Sequence, residues 1–213
     1  MRCSTLLAAS AALVLSATSN ATTFTFDTDP FAGTPVRTTP GRQIVGGELF
    51  ISFNTGTDVF AFDPAIFGVD NQVHFVNGPA GSLPSGGANV IVLESFDDDN
   101  NPLTPFGAGN AANLIAQQVS TPGAGFFVYF NQGLNLPRLV YSTDLDDPTA
   151  DLKILARMLN LTGQDGRETL PEFSTDNFAM IAPTAQTPEP SSLLLLAAGA
   201  LGFVGIRRRS NSA

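Results

Sequence analysis

Apolar residues in the central part of the chain come in short runs, each closed by Gly, Pro, Asn or Asp. Runs of this length, rich in β-branched and aromatic residues, are the pattern of strands joined by turns. The pattern predicts strands over Thr22–Phe26, Gln43–Asn54, Asp58–Phe62, Gln72–Val76, Asn89–Phe96, Phe126–Asn131, Arg138–Ser142, Leu152–Leu161 and Asn177–Ile181. Leu49-Phe50-Ile51-Ser52-Phe53 and Phe126-Phe127-Val128-Tyr129-Phe130 are nearly continuous apolar stretches, which places them in a core. Leu152–Leu161 fits two periods. Leu152, Ile154, Ala156 and Met158 alternate as in a strand, whereas Leu152, Leu155, Ala156 and Leu159 recur as in a helix; the strand is preferred. One helix is expected, capped by Asn110, running from Ala111 through Gln118 and closed by Pro122 and Gly123. Together these elements predict an all-β body: a single antiparallel β-sandwich, jelly-roll-like, with one short helix.

The two ends have a different pattern. Arg2 is followed by an apolar stretch from about Leu6 to Leu15 and then by small residues, including Ser19 and Ala21. One positive charge, a short apolar core and small residues at those two positions make a secretory signal peptide over residues 1–21, an N-terminal signal helix removed by signal peptidase; cleavage after Ala21 fits best, with cleavage near Ala17 or Ser19 as the alternative. At the other end, a linker over 183–187 leads to Pro188-Glu189-Pro190, an uncharged apolar run from Leu193 to Ile206, and Arg207-Arg208-Arg209. As a helix, 14 residues rise about 21 Å, short of a hydrocarbon core of roughly 30 Å, and local thinning is needed for the run to span. The three arginines stop translocation and stay cytoplasmic, with residues 210–213 as a cytoplasmic tail. The body, residues 22–182, is thereby left outside.

This C-terminal sequence resembles the PEP-CTERM sorting signal. The resemblance implies that Pro188, Glu189 and Pro190 over 188–209 form the recognition element for an exosortase-type membrane peptidase. It implies that the transmembrane helix 193–206 is held in the inner membrane transiently. The tail is then removed, and the protein passes to the outer envelope or extracellular matrix of a Gram-negative-type bacterium. The family is associated with exopolysaccharide and biofilm. The wording of Gly125–Asn131 through Tyr141–Leu145 resembles the bodies of exported proteins that carry this tail and have no assigned activity; it brings no activity with it.

Charge and cysteine content narrow the partners. Between Thr22 and Thr187 there are 18 acidic and 6 basic residues, a net charge of −12, against −9 for the whole chain. An acidic body repels phosphate backbones, so nucleic acid is not an expected partner. The single cysteine, Cys3, lies inside the signal segment, which leaves the body without disulfides or thiolate chemistry.

Few residues in the body suggest chemistry. His74 is the only histidine, alternates with apolar neighbours, and has no second His or Cys with which to hold a transition metal. No Gly-x-Ser-x-Gly elbow is present. Asp97, Asp98 and Asp99 offer oxygen ligands suited to Ca²⁺, and Asp144, Asp146, Asp147 and Asp151 form a second acidic cluster; neither matches a helix-flanked calcium loop. Tyr129 and Tyr141 are the available sugar platforms in a chain without tryptophan, but both read as strand residues. Asn160-Leu161-Thr162 matches a glycosylation pattern, which in a bacterium carries little weight. No cofactor and no enzymatic activity are expected. The reading is an exported envelope or matrix protein associating with extracellular polysaccharide. The alternatives are a secreted carbohydrate-binding module or hydrolase, and a self-assembling adhesin.

Overall fold

The computed structural model describes residues 20–35, 41–101 and 103–181. The chain divides into two units, Met1–Ile181 and Ala182–Ala213, and every described residue belongs to the first. The signal segment up to Ser19, the linker 183–187, the sorting segment with its span 193–206, Arg207 to Arg209 and the tail 210–213 lie outside the described residues. Among the described residues no helix is long and apolar enough to cross a membrane.

The body is mostly β-sheet with a few short helices, as its short apolar runs predict. The strands are β1 Thr23–Phe26, β2 Ile44–Val45, β3 Leu49–Ile51, β4 Val59–Phe62, β5 Phe75–Gly78, β6 Val90–Leu93, β7 Gly125–Asn131, β8 Leu136–Ser142, β9 Leu152–Met158 and β10 Phe178–Met180. The helices are α1 Pro64–Phe67, α2 Ala108–Ala116 and α3 Gly163–Glu168. Leu152–Leu161 is thus a strand over most of its length. The stretch expected as one strand over Gln43–Asn54 is two, interrupted at Gly46-Gly47-Glu48.

Two expectations are corrected. The sheets are mixed, not antiparallel. A three-stranded sheet, β1-β4-β10, is parallel throughout. In the larger sheet β2-β9-β8-β7-β6-β5, with β3 also on β9, only β7–β8 and β8–β9 pair antiparallel. Local periodicity reports which residues are buried along a strand, not the direction of its neighbour. The single helix expected in the body is also corrected: among the described residues there are three α-helices. At α1, Asp63 caps the helix by accepting from the Ala65 and Ile66 amides, and Gly68 closes it at φ 64°, a left-handed position suited to glycine. Helix α2 begins three residues before its expected start, with Gly107 as the N-cap; Asn110 sits inside the helix, its Oδ1 accepting from the Gly107 amide at 3.1 Å.

The central strands of the larger sheet are buried on both faces. On β7, Phe126, Val128 and Phe130 face the three-stranded sheet, and Phe127 and Tyr129 face the other way, toward α2. On β6, Val90 and Val92 share the first face and Ile91 and Leu93 the second. This is why β6 and β7 read as unbroken apolar runs: a strand covered above and below has no solvent side to mark with polar residues. The two sheets meet through aromatic rings. Phe62 of β4 stacks on Phe126 of β7 with centroids 3.7 Å apart, and Phe53 stacks on Phe60 at 4.3 Å and on Phe173 at 5.4 Å. Each such pair adds about 0.5–1.5 kcal/mol beyond the area it buries. On the opposite face α2 lays Ala108, Ala111, Ala112 and Ile115 against the sheet.

Candidate functional site

Where β6 ends, the chain turns outward through Glu94 and Phe96. Helix α3, which follows β9, comes to lie beside this turn. Together they form a shallow cleft of about 410 Å³ lined by Glu94, Phe96, Gln164, Arg167, Glu168 and Pro171. Arg167 organises it: its guanidinium lies 5.1 Å from the centroid of the exposed Phe96 ring and 5.3 Å from that of the buried Phe130. Gln164 donates to the Glu168 carboxylate at 2.6 Å one turn along α3. The cleft therefore offers an apolar ring face, a cation, an amide and two carboxylates within one open depression. None of these residues was singled out from the sequence. Glu94 and Phe96 are far from α3 along the chain, and only the fold brings them together.

The residues that the sequence does single out have other surroundings. Asp97, Asp98 and Asp99 are exposed, and one carboxylate oxygen from each lies within 4.8 Å of the others. Their oxygens already accept hydrogen bonds within the loop. Asp97 accepts from the Asp99 and Asn100 amides, and Asp98 from the Asn110 carboxamide at 2.8 Å. Asp99 accepts from the Asn101 amide and the Thr104 hydroxyl. The Thr104 hydroxyl, with the Asn101 amide, holds the Asp99 carboxyl below the ordinary carboxylate range. Asp144, Asp147 and Asp151 are loop braces: they accept from the amides of Gly123, Thr149 and Gln43 respectively. Beside them Arg42 donates to the carbonyls of Ala150, Gly109 and Pro148, and its partial burial lowers its pKa.

His74 is exposed and pairs with Asp70 through Nε2 at 3.2 Å, while its backbone amide donates to the Asn89 side chain. Tyr129 and Tyr141 are core residues. The Tyr129 hydroxyl accepts from Asn131 at 2.8 Å, that of Tyr141 donates to the Phe67 carbonyl at 2.7 Å, and burial raises both pKa values. Neither is a sugar platform. Asn160 has both ends of its carboxamide engaged with the backbone of Phe53.

The most perturbed ionisable group lies elsewhere. Glu48, at the interruption between β2 and β3, has a side chain only 6% exposed; its Oε1 accepts from Arg138 at 2.6 Å and from Arg157 at 2.5 Å. Burial pushes this carboxyl up. The backbone amide and the two guanidiniums outweigh that cost and hold it down at about 2. The cluster ties the edge of the sheet to β8 and β9.

Ala21, beside the expected processing point, is exposed. Ser19, Pro188, Glu189, Pro190 and Arg207 to Arg209 lie outside the described residues, so their assignment rests on the sequence. Comparison with curated proteins and with solved structures returns no match. The PEP-CTERM protein-sorting motif matches residues 186–209, which leaves the body unmatched. The chain carries a PEP-CTERM sorting signal, the mark of an exported protein handled by an exosortase-type membrane peptidase.

Proposed function

We propose that the body is a non-enzymatic envelope or matrix protein of a Gram-negative-type bacterium that associates with extracellular polysaccharide through the Phe96–Arg167 cleft. The observation that carries this reading is the cleft itself. A ring face beside a guanidinium, an amide and carboxylates is the chemistry that packs on a sugar ring and pairs with its hydroxyls. Its openness suits a polymer passing across the surface more than a small substrate held in a pocket. The non-enzymatic part is supported by Glu48: among the described residues its ionisation is the most displaced, and its pairing with Arg138 and Arg157 at a sheet edge accounts for that without catalysis.

Isothermal titration of the exported protein with the producer's own polysaccharide tests the reading. Saturable heat that is lost in Arg167→Ala and Phe96→Ala supports it. Absence of heat with the wild type, or release of new reducing ends from the polymer, overturns it.

The adhesin alternative has one observation in its favour. Ile44, Leu49 and Phe50 are exposed on β2 and β3 at the edge of the larger sheet, the kind of edge through which strands of two copies pair. Sedimentation of the exported protein across a concentration series decides it: a growing dimer fraction that Phe50→Lys abolishes favours self-assembly, and a constant monomer excludes it.

A further inference from the structure

Asp58 is a buried carboxylate at the start of β4, only 5% exposed. Its oxygens accept from the Thr22 amide at 2.9 Å, the Thr57 hydroxyl at 3.2 Å and the Asn54 amide at 2.9 Å. Among the described residues the close contacts between basic and acidic side chains are His74–Asp70, Glu48–Arg138 and Glu48–Arg157, and none involves Asp58. A buried carboxylate whose donors among the described residues are all neutral carries a desolvation cost that a nearby cation would offset.

One of its donors is the nitrogen that signal processing would set free. Thr22 is held by the sheet: its carbonyl accepts from the Val59 amide at 2.9 Å, and β1 then runs parallel to β4 from Thr23 onward. Ala21 and Thr22 are exposed, so the bond between them lies at the surface. Hydrolysis of the Ala21–Thr22 amide by water gives Ala21 a carboxylate and leaves Thr22 with an amine, protonated at neutral pH.

We propose that signal removal after Ala21 creates an ion pair between the new Thr22 ammonium and the buried Asp58 carboxylate, so that processing itself locks β1 onto β4. The proposal rests on the cleavage site read from Ser19 and Ala21. The neutral amide bond to Asp58 becomes a charge-assisted one at the same place, the stronger kind. The joint it tightens also carries β10, because the Asn177 side chain donates to the carbonyls of Asp58 and Thr55 at 2.9 and 2.7 Å. That corner of the three-stranded sheet is then held more tightly in the mature chain than in the precursor.

The test is amine labelling of the exported protein, read by mass spectrometry of the whole chain and of its peptides. The sequence contains one lysine, Lys153, so the protein has two reactive amines and Lys153 serves as the internal reference. A carboxylate partner that raises the amine pKa by one unit slows labelling about tenfold. The expected result is a Thr22 amine that labels about tenfold more slowly in the native wild type than in Asp58→Asn, with Lys153 unchanged between the two. The same slowing is expected relative to the wild type unfolded in urea, which serves if Asp58→Asn does not fold. A chain beginning at Thr22 whose amine labels natively at the unfolded rate overturns the ion pair alone. A chain beginning elsewhere, visible in the intact mass, overturns the cleavage site and the ion pair together.

Discussion

Asn160 sets its carboxamide edge-on to the backbone of Phe53, accepting from the amide at 2.8 Å and donating to the carbonyl at 2.9 Å. A side chain here completes both hydrogen bonds of a residue just beyond the last paired position of β3. Phe53 is 1% exposed, so its backbone has little access to water as a substitute. Asn160→Ala should therefore cost about 2 kcal/mol, measured as a shift in urea midpoint. Intact mass should find the same Asn160 unglycosylated, since its amide nitrogen is committed to the Phe53 carbonyl.

The Glu48 cluster makes stability depend on pH. Its folded pKa of about 2 lies below the ordinary 4.5. The stabilisation is thus fully present above pH 4.5 and is lost as pH falls from 4.5 toward 2. Because Arg157 is partly exposed, the contribution is on the order of 2 kcal/mol. Urea titrations at pH 7, 4.5 and 3 should show a falling midpoint for the wild type. Glu48→Gln should be destabilised at pH 7 and show a shallower decline, and parallel curves for the two proteins would contradict the assignment.

Phe62 and Phe126 stack across the two sheets, both fully buried. Phe62→Ala removes that contact and leaves a cavity between layers, at a cost of about 3–5 kcal/mol in thermal or urea unfolding. A loss below about 1 kcal/mol would mean that the sheets do not pack as described.

Much of this body could be read from its pattern, and the gaps have physical causes. Runs such as Val90–Leu93 and Phe126–Phe130 mark strands because their residues are buried. Their lack of alternation also carried a message that the antiparallel expectation passed over: a strand apolar on both sides is covered on both faces. The helix expected near Asn110 lies between two such strands, and β6-α2-β7 is the crossover that joins parallel neighbours. Gly125 belongs to the same geometry, for a Cβ there would sit 2.8 Å from the Asn89 carbonyl. Partnership at long range is what a single sequence conceals. Glu48 meets Arg138 and Arg157 across 90 and 109 residues, and β7, β8 and β9 lie between Phe96 and Arg167 in the chain. The sorting motif was legible in full because it is contiguous and is read in order.

The acidic loop yields a prediction of no effect. Asp97, Asp98 and Asp99 are exposed and already accept from loop amides, Asn110 and Thr104. Removing Ca²⁺ with a chelator should leave the unfolding midpoint unchanged within about 0.5 kcal/mol. A larger drop, restored by Ca²⁺ and absent in Asp97→Asn, would identify a cation site there.

In the sorting motif, Glu189 is the charged residue between two prolines. Glu189→Ala should leave signal removal intact and hold the protein in the membrane fraction, scored by fractionation and immunoblot. Unchanged release to the exterior would remove the tripeptide from the recognition element.

The most direct measurement is the intact mass of protein collected from outside the producing cells. A chain that starts at Thr22 and has lost Leu193 through Ala213 is the predicted species. Exterior protein that still carries its apolar stretch and the three arginines would contradict export by tail removal.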